Sequence, residues 1–346
     1  GDYDVDGMTS SCVMSEFLRS LGLECSVYIP GRLDEGYGLN TPAIDSFVKD
    51  GVSLIVTVDC GITAVDETIY ANSLGIDVVI TDHHECKDTL PPAVAVVDPK
   101  RHDCQYPNKS LAGVGVAFKV VCAAAGPSRL AELMEKYGEL VSLGTIADVV
   151  SVRGENRSLI KLGMQQLAKT RRPGLKYILH DTGLDSKRMT TGAIGFAIAP
   201  RLNAAGRMGH PDLSVKLLST ADPNEAKRVS DELYTLNCER RSLVTSIFDD
   251  AVSILAREKI PGPIILSKRG WYQGVMGIVA ARIAEIHMLP TIMICIDEHG
   301  IGRGSCRSFA DFQLYSALEH CSDLLVNFGG HEMAAGLTIK EENIPE

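Results

Sequence analysis

The sequence predicts an α/β fold in two parts, a parallel-sheet domain joined by a long helix to a smaller α/β domain. Three observations carry that expectation. First, the β-branched runs Ser53–Val58, Asp77–Ile80 and Ala93–Val97 alternate with stretches whose apolar residues recur every three or four positions, which is the pattern of repeated β–α units. Helical crossovers between such strands leave them parallel and right-handed. Second, Pro223 to Lys259 contains no internal Pro or Gly, and Ala226, Val229, Leu233, Leu236, Leu243, Ile247, Ala251 and Ile254 step at helical spacing. A helix of that length runs ~55 Å, too long for one layer of a compact domain, so it reads as a connector. Third, a fresh α/β pattern begins past Pro261. The expected boundaries are 1–222, 223–259 and 260–346.

Taken in order, Val13, Met14, Phe17, Leu18 and Leu21 predict a helix from Ser10 to Leu21, and Cys25–Ile29 reads as a strand. Helices are expected near Pro42–Lys49 and Ala64–Leu74, and Gly31–Asn40 is a glycine-punctuated loop carrying Arg32 and Tyr37. Gly113-Val-Gly115 lacks the third glycine of a dinucleotide fingerprint and runs into an apolar helix to Ala125, so its glycines read as close helix packing. Asn156–Leu179 reads as helical, with Arg171 and Arg172 on a solvated face. In the second domain, Pro263–Leu266, a helix near Gly277–Ile286 and Pro290–Ile296 restore the α/β alternation.

Composition removes several classes. A net charge of −10 argues against a protein that grips nucleic acid through a broad basic face, so any positive track must be confined to a few arginines. No apolar run approaches the ~20 residues of a membrane helix, no signal-peptide pattern opens the chain, and a cytoplasmic location without membrane contact is expected. Ten cysteines without a Cys-x-x-Cys pair or zinc spacing read as small buried hydrophobes in a reducing compartment. The chain opens inside a motif without an initiator Met, and is read as part of a longer protein.

The chemistry gathers where strands end. Asp77–Ile80 leads into Thr81-Asp82-His83-His84-Glu85, Ser53–Val58 leads into Asp59-Cys60-Gly61, and the chain begins Gly1-Asp2-Tyr3-Asp4-Val5-Asp6-Gly7. Open α/β sheets bind ligands at that edge. Asp148 is a further candidate, because an acid closing a helix opposes the dipole unless a cation compensates. Each Asp alone reads as a cap or turn former, and adjacent histidines point to opposite sides of an extended chain, so at most one of His83 and His84 ligates a given metal. Together, these carboxylates raise one another's pKa unless something positive sits among them. Hard oxygen ligands with one imidazole suit Mn²⁺ or Mg²⁺, and two ions ~3.5–4 Å apart sharing an Asp would serve displacement at phosphorus. Among Asp2, Asp4 and Asp6 the choice of ligands is open, with Asp4 and Asp6 favoured.

Other polar strings are candidates for phosphate. Arg201, Asn203 and Arg207 lie in the glycine-bearing stretch Pro200–His210. Gly302-Arg-Gly-Ser-Cys-Arg-Ser308 can present backbone amides as an anion nest together with Arg303, Ser305 and Arg307. Gly329-Gly330-His331 lets a backbone approach a ligand while placing one imidazole.

The motifs Asp-x-Asp-x-Asp-Gly, Val-Asp-Cys-Gly, Thr-Asp-His-His and Ala-Asp-Val-Val stand in this order along the chain. In that order, and with Gly31–Asn40, Ala199–Met208, Gly302–Ser308 and Gly329–Gly336, the chain resembles the DHH phosphoesterase superfamily, and within it the bacterial single-strand-specific DNA exonucleases. The resemblance covers essentially the whole chain. It implies a DHH catalytic domain and a smaller DHH-associated domain, with single-stranded DNA in the cleft between them and digestion from the 5′ end. It also implies metal ligation by Asp2, Asp4, Asp6, Asp59, His83 and Asp148, with Asp59, His83 and His84 catalytic. Arg32, Tyr37, Arg201, Asn203, Arg207, Arg303, Ser305, Arg307 and His331 would contact substrate. A monomer is expected, with a single-strand-binding protein and a helicase as partners. The alternatives are a phosphodiesterase for short oligonucleotides or cyclic dinucleotides, and a non-catalytic single-strand-binding fragment.

Overall fold

A computed structural model of the chain describes all residues except 34, 186–188, 258–261 and 346. The expected junction at 259–260 therefore lies outside the described residues. The chain divides into two compact units, Gly1–Asn237 and Cys238–Glu346.

In the first unit, α1 (Val5–Ser20), α2 (Thr41–Lys49), β1 (Leu54–Val58), α3 (Val65–Ser73), β2 (Asp77–Thr81) and β3 (Ala95–Val97) build a three-stranded parallel sheet in the order β1-β2-β3. Its register pairs Val58 with Thr81 and Thr81 with Val97, so the three strands end level with one another. Asp59, Asp82 and Asp98 each occupy the position after a strand and therefore share one edge. The expectation of parallel β–α units ending in acidic residues holds here.

The rest of this unit is helical: α4 (Gly113–Ala125), α5 (Leu130–Ala147), α6 (Gly154–Leu167), α7 (Pro173–Asp181) and α8 (Thr191–Ala193), a π-turn at Ile194–Ile198, then α9 (Ala199–Arg207), α10 (Asp212–Ser219) and α11 (Pro223–Leu255). Met8, Phe118, Tyr137, Leu140 and Leu143 are fully buried where α1, α4 and α5 pack together. Each of the four apolar side chains other than Tyr137 stabilises the fold by ~1.5–3 kcal/mol through burial. The helix α11 has 33 residues, about 50 Å at the α-helical rise, and the division between the two units falls within it. Among the described residues no single helix is long and apolar enough to cross a membrane.

Four expectations are corrected in this unit. Helix α1 starts at Val5 rather than Ser10, because the Asp4 carboxylate caps it by accepting from the Asp6 and Gly7 amides. Asp4 thus stands at the N-cap of α1 and Asp6 in its first turn. Cys25–Ile29 forms no ladder among the described residues. The Tyr28 carbonyl oxygen accepts from the Gly1 nitrogen at 2.9 Å. Asn156–Leu179 is two helices, divided before Pro173. Arg172 does not lie on a solvated face: its Nε donates to Glu139 Oε1 at 2.8 Å, its Nη2 to Glu16 Oε2 at 2.9 Å and its Nη1 to Leu218 carbonyl oxygen at 3.0 Å. It ties α1, α5 and α10 together, and a planar guanidinium with several donors suits that task.

The second unit adds β4 (Ile264–Arg269), α12 (Met276–His287), β5 (Thr291–Ile296), β6 (Ile301–Arg307), α13 (Leu314–His320), β7 (Leu325–Gly330) and β8 (Ala334–Lys340). The sheet order is β4-β5-β6-β8-β7, with β4 and β5 parallel and the other pairs antiparallel. Ile283, Val279 and Trp271 form one core with Ile247 and Ala251 of α11, and Ile294, Leu337 and Ile339 form another. The string Gly302–Arg307 is a central strand flanked by β5 and β8 rather than an anion nest. Its amides serve ladders, and a Cβ at Gly302 or Gly304 would come within 2.8 Å of Ile294 or Leu337.

Candidate metal centre

His83, two residues beyond β2, is the hub of the first unit's sheet edge. Its Nε2 lies 3.0 Å from Asp59 Oδ1 and 3.9 Å from Asp6 Oδ2, and its Nδ1 lies 3.8 Å from Asp148 Oδ2. Asp59 comes directly after β1 with φ 60°, a left-handed conformation that Asp tolerates better than most residues and that turns its carboxylate into the edge. Asp6 is held from across the fold, its Oδ2 accepting from the Gly113 amide at 2.6 Å and its Oδ1 from the Val114 amide at 2.8 Å. Those donors are the first turn of α4, where unsatisfied amides favour an anion. Asp148 closes α5 as its C-cap.

Two sets of side chains with ligand atoms within 4.8 Å of one another meet here: Asp6, His83 and Asp148, and Asp2, Asp4 and Asp59. A third set, Asp59, Asp82, His83 and His84, overlaps them. The electrostatics fit a cation. Burial, and after it the charges of neighbouring carboxylates, raises Asp6 and Asp59 well above the usual carboxylate range. The same causes, burial first and then Asp4, bring Asp2 to about 8 and Asp148 to about 7. Burial and the nearby His84 charge press His83 down to about 4, which keeps the imidazole neutral and its lone pair available. Asp59 Oδ1 is buried and takes no aligned hydrogen bond from the described residues. A buried carboxylate oxygen left in this way is poorly solvated by the protein itself, and a divalent ion among these acids would supply what is missing.

Sequence reasoning passed over Asp82 as a site residue. It is 1% exposed, and its Oδ1 accepts from the His83 amide at 2.7 Å, the His84 amide at 3.2 Å and His84 Nδ1 at 2.7 Å, while Oδ2 accepts from the Ile62 amide at 2.9 Å. Burial works against its ionisation, but the His84 hydrogen bond and charge, with the Ile62 and His83 amides, hold the carboxyl below its usual range. His84 is correspondingly raised, although burial opposes it. Tyr37 hydroxyl lies 3.2 Å from both His84 Nδ1 and Asp59 carbonyl oxygen. The signal was present in Thr81-Asp82-His83-His84, but an Asp after a strand reads by default as a turn former.

Two glycines are also site residues by exclusion. A Cβ at Gly113 would sit 2.3 Å from Asp59 Oδ1, and one at Gly144 would sit 2.3 Å from Thr9 Oγ1 and 2.9 Å from Asp6 Oδ1. Gly113 was expected to serve helix packing; it also makes room for the Asp59 carboxylate of the candidate ligand set.

The remaining candidates fall in several places. Arg32 stacks its guanidinium 4.7 Å from the Tyr3 ring centroid. The charges of Arg32 and Arg207 both bear on the Tyr3 hydroxyl, which places them beside the first motif. Asn203 accepts from the Val5 amide at 3.0 Å, so it supports the start of α1. Arg201 stacks over Tyr234 and donates to Asp181 carbonyl oxygen at 3.0 Å. In the second unit, Arg303, Ser305 and Arg307 share one face of β6 by strand alternation. A Cβ at Gly277 would lie 2.9 Å from Ser305 Oγ and 2.6 Å from Arg307 Nη2, so both side chains lie over the first turn of α12. His331 is exposed in the turn between β7 and β8.

Residues 1–145 match the DHH family, N-terminal domain, and residues 246–346 match the DHHA1 domain. The crystal structure of an exonuclease RecJ bound to manganese superposes with a TM-score of 0.84 at 34% identity, covering 100% of this chain and 86% of that one. The chain belongs to the RecJ family. Among curated RecJ proteins, each described as a single-stranded-DNA-specific exonuclease, the one from Bacillus subtilis is 44% identical over all of this chain and 44% of its own length. The Escherichia coli RecJ is 38% identical over 99% of this chain and 63% of its own length. The chain thus spans about half to two thirds of these RecJ relatives.

Proposed function

We propose that this chain is the catalytic part of a cytoplasmic, metal-dependent exonuclease that hydrolyses phosphodiester bonds of single-stranded DNA from the 5′ end. The observation that carries the reading is the ring of Asp6, Asp59 and Asp148 around a neutral His83, with a buried Asp59 oxygen unsatisfied by the described residues. Asp2, Asp4, Asp6, Asp59, His83 and Asp148 would hold one or two Mn²⁺ or Mg²⁺ ions. Bound there, such ions supply Lewis acidity and activation of water for in-line displacement at phosphorus.

The chain's own groups do the rest. His84, whose protonated form its bond to Asp82 favours against the opposing effect of burial, lies beside Tyr37 and offers a donor to a phosphate oxygen. Arg32 and Arg207 add positive charge beside the first motif. Ser305 and Arg307, over the first turn of α12, form a site for a phosphate, with Arg303 on the same strand face. Arg201, Asn203 and His331 complete the proposed contacts, Asn203 through its hold on α1. The proposed domains are 1–222, 223–259 and 260–346, and the proposed working unit is a monomer that meets a single-strand-binding protein and a helicase.

The test is a long single strand labelled separately at each end, its duplex and a dinucleotide, each incubated with the chain and Mn²⁺. Early release of the 5′ label from the single strand alone is the expected result. Cleavage of the dinucleotide only would replace the exonuclease by a short-oligonucleotide hydrolase.

A further inference from the structure

Asn156 is 1% exposed near the start of α6, and all three of its side-chain contacts fall on two loops. Its Nδ2 donates to Ser110 carbonyl oxygen at 2.6 Å and to Ser151 carbonyl oxygen at 3.0 Å, and its Oδ1 accepts from Asn108 Nδ2 at 3.2 Å. Ser151 stands just after Asp148, and between them Val149 has φ 59°. A β-branched residue keeps that conformation only where its surroundings over-determine it. Ser110 closely precedes Gly113 and Val114, whose amides hold Asp6. Glu155 fastens the same loop to α4, accepting from Tyr106 hydroxyl at 2.7 Å and from Lys119 Nζ at 3.0 Å. One buried amide therefore joins the segment that aims Asp148 to the segment that grips Asp6.

We infer that Asn156, buttressed by Glu155, is a positioning residue that sets the spacing of Asp6 and Asp148 across His83 and so the affinity of the centre for a divalent cation. The inference rests on the metal-binding reading above. Loss of an outer partner of this kind lowers metal affinity ~10–100-fold in other proteins. Asn156→Asp keeps the size and the acceptor but removes both N–H donors, so the two loops lose their shared clasp.

The experiment is calorimetric titration of Mn²⁺ into the intact chain, with thermal melting of the same samples, for the wild type, Asn156→Asp, Glu155→Gln and Leu175→Ala. Leu175 is a fully buried core residue of α7, and its truncation controls for general loosening. Mn²⁺ affinity is expected to fall ~10–100-fold in Asn156→Asp, several-fold in Glu155→Gln, and not at all in Leu175→Ala despite a lower melting temperature. Wild-type affinity in Asn156→Asp overturns the proposal, as does an equal weakening in Leu175→Ala. If Asn156→Asp does not fold, unchanged affinity in Glu155→Gln overturns it. A wild type that binds no Mn²⁺ defeats the metal reading itself, a result distinct from the others.

Discussion

Asp59 and Asp82 stand at the ends of adjacent parallel strands, level in register and almost equally buried at 2% and 1% exposure, yet their carboxyls move in opposite directions. Asp82 takes hydrogen bonds from three backbone amides and the His84 ring; Asp59 Oδ1 takes none from the described residues. The same residue type in the same topological place is a satisfied strut after one strand and carries an unsatisfied oxygen, the proposed metal ligand, after the next. Burial is common to both; what separates them is whether the protein completes the oxygen's partners or leaves that to the proposed cation.

The largest effect that would break this comparison lies at Asp59. Asp59→Asn should cut Mn²⁺-dependent hydrolysis of single-stranded DNA by more than ~100-fold, beyond the usual cost of losing an outer partner. The metal-free variant should melt no lower than wild type, because a buried and poorly compensated charge has been removed. A lower melting temperature in EDTA would count against the ligand role.

Asp82→Asn should do the reverse in the metal-free protein. It sets an amide against donors that need an acceptor, at a cost of about 1–3 kcal/mol in unfolding free energy. Hydrolysis should fall ~10–100-fold through misplacement of His83 and His84. Denaturant unfolding in EDTA measures the first effect and initial rates the second; variants of Asp59 and Asp82 that shift stability alike would erase the distinction.

The smallest effect sharpens the comparison through pH. Asp2 and Asp148 have folded pKa values of about 8 and about 7, above the ordinary carboxylate value, so the folded metal-free protein binds more protons than the unfolded chain. Stability from that source is fully present at acid pH and is lost as pH rises through 7 and 8. Asp82, lowered in pKa, acts with the opposite sign and only at acid pH. In EDTA the melting temperature should therefore drop by a few degrees between pH 6 and pH 8, and saturating Mn²⁺ should raise it more at pH 8 than at pH 6. An equal rise at both pH values would show that these carboxylates do not hold the ion.

Much of this was legible before folding. The runs Leu54–Val58 and Asp77–Thr81 declare themselves by β-branched composition, and the residues just past a buried parallel strand must lie at its C-terminal edge. Asp59, His83 and the neighbouring acids were legible for that reason. The apolar stripe from Ala226 to Ile254 likewise specifies one long helix by local periodicity alone. Arg172 was not legible: its partner Glu16 lies 156 positions away, and in a one-dimensional pattern an arginine on a polar face is indistinguishable from a solvated one.

What the sequence by itself determined is therefore the local and the repetitive: strand and helix periods, the order of acidic motifs along the chain, and a net charge that confines any basic track. Tertiary structure alone decided which oxygens find partners. Asp6 was a ligand candidate from its motif, but only folding brings the Gly113 and Val114 amides of α4 to its carboxylate from more than a hundred residues away. Asp59 and Asp82, alike in sequence context, were told apart only by neighbours that folding brought to one and withheld from the other. Hydrogen bonds and desolvation act over a few ångström of space, and sequence spacing carries that distance only within a single turn or strand.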